Sequence, residues 1–175
     1  MKNLRDYLIP YVGLKVGMHR FEYAITGEFF QQFPDSLIRE CEVKVRLELE
    51  KKETFFILNF FIDGTVNAAC DLCLEPFRKE IFGDYPCLVK FSEELSKGAN
   101  DDDEVMYISR ESDFIDVAPL IYDFINLCMP IQLWGCQQPG AEKQCNQEVL
   151  KYMNKEKKND ESADPRWEGL RKLKE

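Results

Sequence analysis

The chain has 175 residues, 45% of them hydrophobic and 13% aromatic, which is enough apolar material to bury one core and too much for a disordered chain. Its formal net charge of −9 argues against a protein that holds nucleic acid by broad phosphate neutralisation, and leaves any RNA contact to local basic segments or to a partner. The N-terminus mixes charge, Pro and Gly where a signal peptide needs a plain apolar stretch, and no run reaches the ~20 apolar residues of a membrane span. The expectation is a cytoplasmic protein whose seven cysteines are reduced thiols rather than a disulfide framework.

Residues 1–20 hold Tyr7, Leu8, Ile9, Tyr11, Val12 and Leu14, with Gly13 and Gly17 at turn spacing, which reads as an opening strand and a loop. His19 is the single histidine and takes no role, because no nucleophile motif stands near it. Phe21, Tyr23 and Ile25 alternate up to Gly27, a half-buried strand closing in a turn, and Phe29, Phe30 and Phe33 add apolar bulk before Pro34. The plainest strand follows, where Val43, Val45, Leu47 and Leu49 alternate with Lys44, Arg46, Glu48 and Glu50, one face dry and one wet. Lys51 to Thr54 makes a polar turn, after which TFFILNFFIDG runs back as a buried strand. Asp63-Gly64 signals a hairpin turn, and Thr65 to Cys70 is a further strand.

Phe77 to Phe82, Pro86 to Phe91 and Val105 to Ile108 continue the strand pattern. The acidic run Asp101, Asp102, Asp103, Glu104 lacks the alternating spacing and distal Glu of a calcium loop and reads as a solvated turn. One helix comes next, with Asp116 as its cap, Ile115 as a staple and Pro119 in the first turn. Val117, Leu120, Ile121, Phe124, Ile125 and Cys128 share one face at 3.6-residue spacing, and Met129-Pro130 ends the helix. The predicted fold class is α+β: a mainly antiparallel β-sheet or partly open barrel with one packed helix and a flexible C-terminal arm. Residues 1–153 form the globular domain, including a short helical run from Gln147 to Met153, and 154–163 are a polar linker. Residues 164–175 form a docking segment. There Asp164-Pro165 opens a short helix with Trp167, Leu170 and Leu173 along one side. Arg166, Arg171 and Lys172 flank them, so Arg166, Trp167, Leu170, Arg171, Lys172 and Leu173 are the candidate partner- or RNA-binding residues.

Thr65 to Pro76, TVNAACDLCLEP, carries the only Cys-x-x-Cys. Two thiols three positions apart across a turn converge on one metal or close on each other, and a structural zinc takes about four ligands, sulfur at ~2.3 Å. A redox Cys-x-x-Cys opens a helix whose N-terminus lowers the thiol pKa, and Pro76 with its strand-like flanks speaks against such a helix here. Cys41, Cys87 and Cys128 read as small buried apolar residues.

With Cys70-Asp71-Leu72-Cys73-Leu74-Glu75-Pro76 and the terminal Asp164-Pro165-Arg166-Trp167, Leu170 and Leu173 both in hand, the sequence resembles the bacterial YceD family, the large ribosomal RNA subunit accumulation proteins. Gly13-Leu14-Lys15-Val16-Gly17 and the helix after Asp116-Val117 are similar to that family too. The resemblance implies a non-catalytic factor for accumulation of large-subunit ribosomal RNA, acting by binding or processing in ribosome assembly. Its implied partners are that RNA or ribosome-assembly proteins, with no membrane and no small-molecule substrate. Many family members carry a second close cysteine pair after the helix; here the candidates are Cys136 and Cys145, with eight residues between them. Cys70, Cys73, Cys136 and Cys145 are therefore the candidate ligands of a structural zinc, and the alternative is a metal-free corner held by packing. Two other functions stand beside the assembly factor. One is a protein–protein adaptor without RNA contact, which suits the acidic surface, and the other is a thiol-redox protein using Cys70 and Cys73.

Overall fold

From its N-terminus the chain makes a 3-10 turn (Leu4–Tyr7), strands β1 (Leu8–Pro10) and β2 (Gly17–Thr26), and the short helix α1 (Gly27–Phe30). Strands β3 (Cys41–Lys51), β4 (Phe55–Ala69), β5 (Pro76–Ser92), β6 (Val105–Ser109) and β7 (Phe114–Asp116) follow, and then helix α2 (Ala118–Cys128). This computed structural model describes residues 4–92, 105–135, 146, 148–149 and 151–152. The chain divides into two compact units, one of Met1–Ala68 with Arg78–Ile131 and the other of Ala69–Phe77 with Gln132–Glu175.

In the first unit the alternation of β3 sets the sheet. Val43, Val45, Leu47 and Leu49 are buried and the polar residues between them face out, as a strand with one packed face requires. β2 pairs antiparallel with β3, and β3 with β4, so that Leu47 stands between Phe21 and Phe60. The sheet runs β2-β3-β4-β5-β6, while β1 and β7 make a separate two-stranded sheet. The outer strands β2 and β6 do not pair with each other, so the sheet does not close into a barrel. β6 lies parallel to β5, so the mainly antiparallel sheet that is predicted is mixed at this edge.

Helix α2 lies on the dry face. Val117, Ala118, Ile121 and Ile125 are fully buried, and Phe124 packs edge-on to Phe60 of β4 and parallel to Tyr85 of β5, centroids 5.1 and 4.8 Å away. The cap residue is Val117, not Asp116 as expected, and it makes no side-chain capping bond; Asp116, one position earlier, accepts the Ala118 N–H through Oδ1 at 3.0 Å. Each of the fully buried large side chains Leu47, Leu49, Leu58 and Phe60 contributes roughly 1.5–3 kcal/mol. The loop after β1 is pinned from the sheet by Lys51, whose Nζ donates to the Tyr11 and Leu14 carbonyls, both at 2.8 Å.

Three further features depart from the sequence expectation. Asp63-Gly64 is not a turn, since β4 continues through it to Ala69. A Cβ on Gly64 would lie 2.3 Å from the Glu42 carbonyl oxygen, so the glycine serves close approach to β3. Phe77 to Phe82 and Pro86 to Phe91 are one strand, β5. β6 pairs only Leu88 to Ser92 of it, leaving Pro86 beyond that pairing, where prolines in sheets are tolerated. Finally, the apolar run at Phe29 and Phe30 is a helical turn buried against Tyr7 and Tyr122.

Candidate functional site

The cysteine corner belongs to the second unit. β4 ends at Ala69, β5 begins at Pro76, and the residues between them fold into a tight knuckle. The Leu74 N–H donates to the Cys70 carbonyl at 2.9 Å, and the Cys70 N–H donates to the Glu75 carbonyl at 3.0 Å. Closing this loop puts Leu74 at φ 62°, a left-handed conformation that costs a residue with a Cβ about 1–3 kcal/mol. Leu74 is 76% exposed, so no packing of its own side chain offsets the strain; the closed knuckle does. Cys70 and Cys73 are both buried, at 1% and 3% exposure, and neither belongs to the main hydrophobic core cluster.

Asp71, inside the Cys-x-x-Cys, clasps a second stretch of chain. Its N–H donates to the Leu133 carbonyl at 2.9 Å, and its Oδ2 accepts the Leu133 N–H at 2.6 Å. Two residues on, Gly135 rests against Phe77, where a Cβ would come within 2.7 Å of the ring. The backbone is thereby fixed beside the knuckle on the residue before Cys136. Cys136 and Cys145 lie outside the described residues, and among the described residues no group of three or more potential metal ligands is assembled. Two buried sulfurs three positions apart across a turn could supply half of a tetrahedral thiolate site, a donor set that suits zinc. The knuckle opens no helix, since strand β5 follows it, so the device that activates a redox Cys-x-x-Cys is missing there.

The remaining described thiols are held protonated. Burial pushes Cys41 up to about 11, with Glu42 adding to it; Cys87 and Cys128 are raised by burial as well. The His19 Nε2–H donates one bond to the Lys15 carbonyl at 2.7 Å, a local loop contact. The docking-segment candidates Arg166, Trp167, Leu170, Arg171, Lys172 and Leu173, the linker 154–163 and the acidic run 101–104 lie outside the described residues. Residues 148, 149, 151 and 152 are helical as expected, with the Asn146 Oδ1 accepting the Glu148 N–H at 3.1 Å. Asp71 and Gly135 escaped the sequence reading. The one signal for Asp71 is chemical, because a short carboxylate in a turn readily bonds backbone N–H groups.

The family model described as "Large ribosomal RNA subunit accumulation protein YceD" matches residues 58–174, more than half of the chain. The match spans the knuckle, α2 and the Asp164-Pro165-Arg166-Trp167 motif, and begins beyond Gly13–Gly17. No curated protein and no solved structure matches the chain.

Proposed function

Because the chain belongs to the YceD family of large ribosomal RNA subunit accumulation proteins, we propose that it is a non-catalytic cytoplasmic factor that promotes accumulation of large-subunit ribosomal RNA during ribosome assembly. It does so by binding that RNA or an assembly partner. The observation that carries this reading is the family match across residues 58–174. Cys70 and Cys73, with Cys136 and Cys145, hold a structural zinc in this proposal; the metal would cross-link the knuckle to the segment that Asp71 clasps, and it takes no part in chemistry. The docking segment at 164–175 makes the partner contact through Trp167, Leu170 and Leu173, with Arg166, Arg171 and Lys172 around them.

The experiment is depletion of the protein followed by sucrose-gradient profiles. Large subunits should fall relative to small ones, and a ratio that stays put would sink the reading. A protein–protein adaptor without RNA contact is the second reading, favoured by the net charge of −9, which opposes direct approach to phosphate. Crosslinking the tagged protein in cells and identifying both RNA and protein partners separates the two.

A further inference from the structure

The wet face of the five-stranded sheet holds Phe82, a residue out of character with that place. It lies on β5 and is 81% exposed, whereas its neighbour Ile81 is 2% exposed and faces the core. Side chains alternate along a strand, so Glu80 and Asp84, two positions to either side, rise on the same face about 7 Å away, and both are exposed. Asp63 of β4 lines the same shallow depression, of about 1190 Å³, as Phe82 and Asp84. Three carboxylates thus share the face with this apolar ring, and Glu22, Lys44 and Arg46 line the same depression. Two other acids of this face are already paired, Glu48 with Arg20 at 3.1 Å and Glu42 with Arg78 at 3.6 Å. Among the described residues, Glu80, Asp63 and Asp84 are in no salt bridge.

The same depression shows what an aromatic ring on this face takes. Phe61 is capped by Arg46, whose guanidinium carbon sits 4.5 Å from the ring centroid, and Arg46 stands directly across from it in the β3–β4 register. Among the described residues no cation stacks on Phe82, and the other cation of the depression, Lys44, stands across from Asp63 in the β3–β4 register. We propose that Phe82, with Glu80, Asp84 and Asp63, receives an arginine side chain from a basic segment of a protein partner. A planar guanidinium stacks on the ring face while its N–H groups reach carboxylate oxygens at the edge, a match that a compact ammonium meets less well. Single-stranded RNA also stacks on exposed aromatic rings, but it would bring phosphate up to three carboxylates. A second copy of this chain would bring three more. The net charge of −9 steers a basic polypeptide inward and phosphate away. Such a contact needs only this face, and it holds whatever the protein does for ribosomal RNA.

Fluorescence-anisotropy titration of the full chain tests it, with three labelled probes: an arginine–glycine repeat peptide, the matched lysine–glycine peptide and a single-stranded oligouridylate. The arginine peptide should bind most tightly and the oligouridylate should not displace it. Phe82→Ala should weaken the arginine peptide roughly threefold to fivefold, as loss of an exposed cation–π contact does, and Phe82→Trp should keep or tighten it. Glu80→Gln with Asp84→Asn should weaken it as well. Because these side chains are exposed, the melting temperatures, read in parallel, should not move. Neutralising Asp101, Asp102, Asp103 and Glu104 together should leave the affinity alone. An arginine-peptide affinity indifferent to Phe82→Ala, or one that drops only when the 101–104 run is neutralised, overturns the assignment. Tight oligouridylate binding that Phe82→Ala removes would overturn it too, and would give the face to RNA.

Discussion

A methyl group on Gly64 would meet the Glu42 carbonyl oxygen at 2.3 Å and the Val43 Cα at 2.6 Å. Both obstacles are backbone in the neighbouring strand, so no side-chain rotation can make room. Gly64→Ala is therefore expected to push β4 off β3 and to destabilise the protein by about 1–3 kcal/mol, the usual cost of overpacking. In a chain of this size that lowers the melting temperature by roughly 2–12 °C, at ~2–4 °C per kcal/mol. Gly13→Ala is the control, since nothing lies within 4 Å of a Cβ there, and it should shift the midpoint by no more than about 1 °C. Equal midpoints for the two variants in a thermal melt would remove Gly64 from the packing argument. The residue also shows where single letters mislead. Asp63-Gly64 carries the same code whether the glycine turns a hairpin or lets two strands draw close, and only the partner strand decides between them.

Elements with long, regular patterns were legible. The alternation of β3 and the 3.6-residue spacing of α2 each name the buried face correctly, because tertiary burial in these elements repeats the period of the backbone. β5 was read as two strands, since Gly83 and Pro86 punctuate it like a turn. Its parallel partner β6 depends on the connection 93–104, which has no pattern of its own. At the knuckle the Cys70–Cys73 corner was legible, yet the clasp between Asp71 and Leu133 joins residues 62 positions apart, beyond any local signal. That clasp gives the zinc proposal a concrete form. With metal bound to four thiolates, elemental analysis of protein purified without chelator should find about one zinc per chain. Its removal should lower the melting temperature, because binding energy at such a site is folding energy. A zinc content far below that value, with all seven thiols titrating after unfolding, would leave the corner metal-free. The strained Leu74 would then be held by the two backbone bonds of the knuckle and by packing.

Across the whole molecule the charge is unevenly spread. Residues 151–175 contain eight Lys and Arg against six Asp and Glu, a local +2, so residues 1–150 carry −11 of the total −9. The C-terminal end is thus where this acidic protein is best suited to approach RNA phosphate, while the acidic remainder favours basic polypeptide. Trp167, Leu170 and Leu173 in the same stretch can serve either the protein's own core or a partner, and magnitude separates the two. Three large apolar side chains folded onto the core would contribute at least ~4.5 kcal/mol, at about 1.5 kcal/mol or more each. Deleting them would then lower the melting temperature on the order of 10 °C. A segment reserved for docking contributes nothing to the free protein. We expect deletion of residues 164–175 to leave the melting temperature within about 2 °C and to abolish co-sedimentation with large-subunit particles. The substitution Trp167→Ala in the full chain should weaken that co-sedimentation in the same direction, with the basic residues still in place. A deletion that melts several degrees lower while still sedimenting with the particles would make the segment part of the folded body, and would move the partner contact elsewhere on the chain.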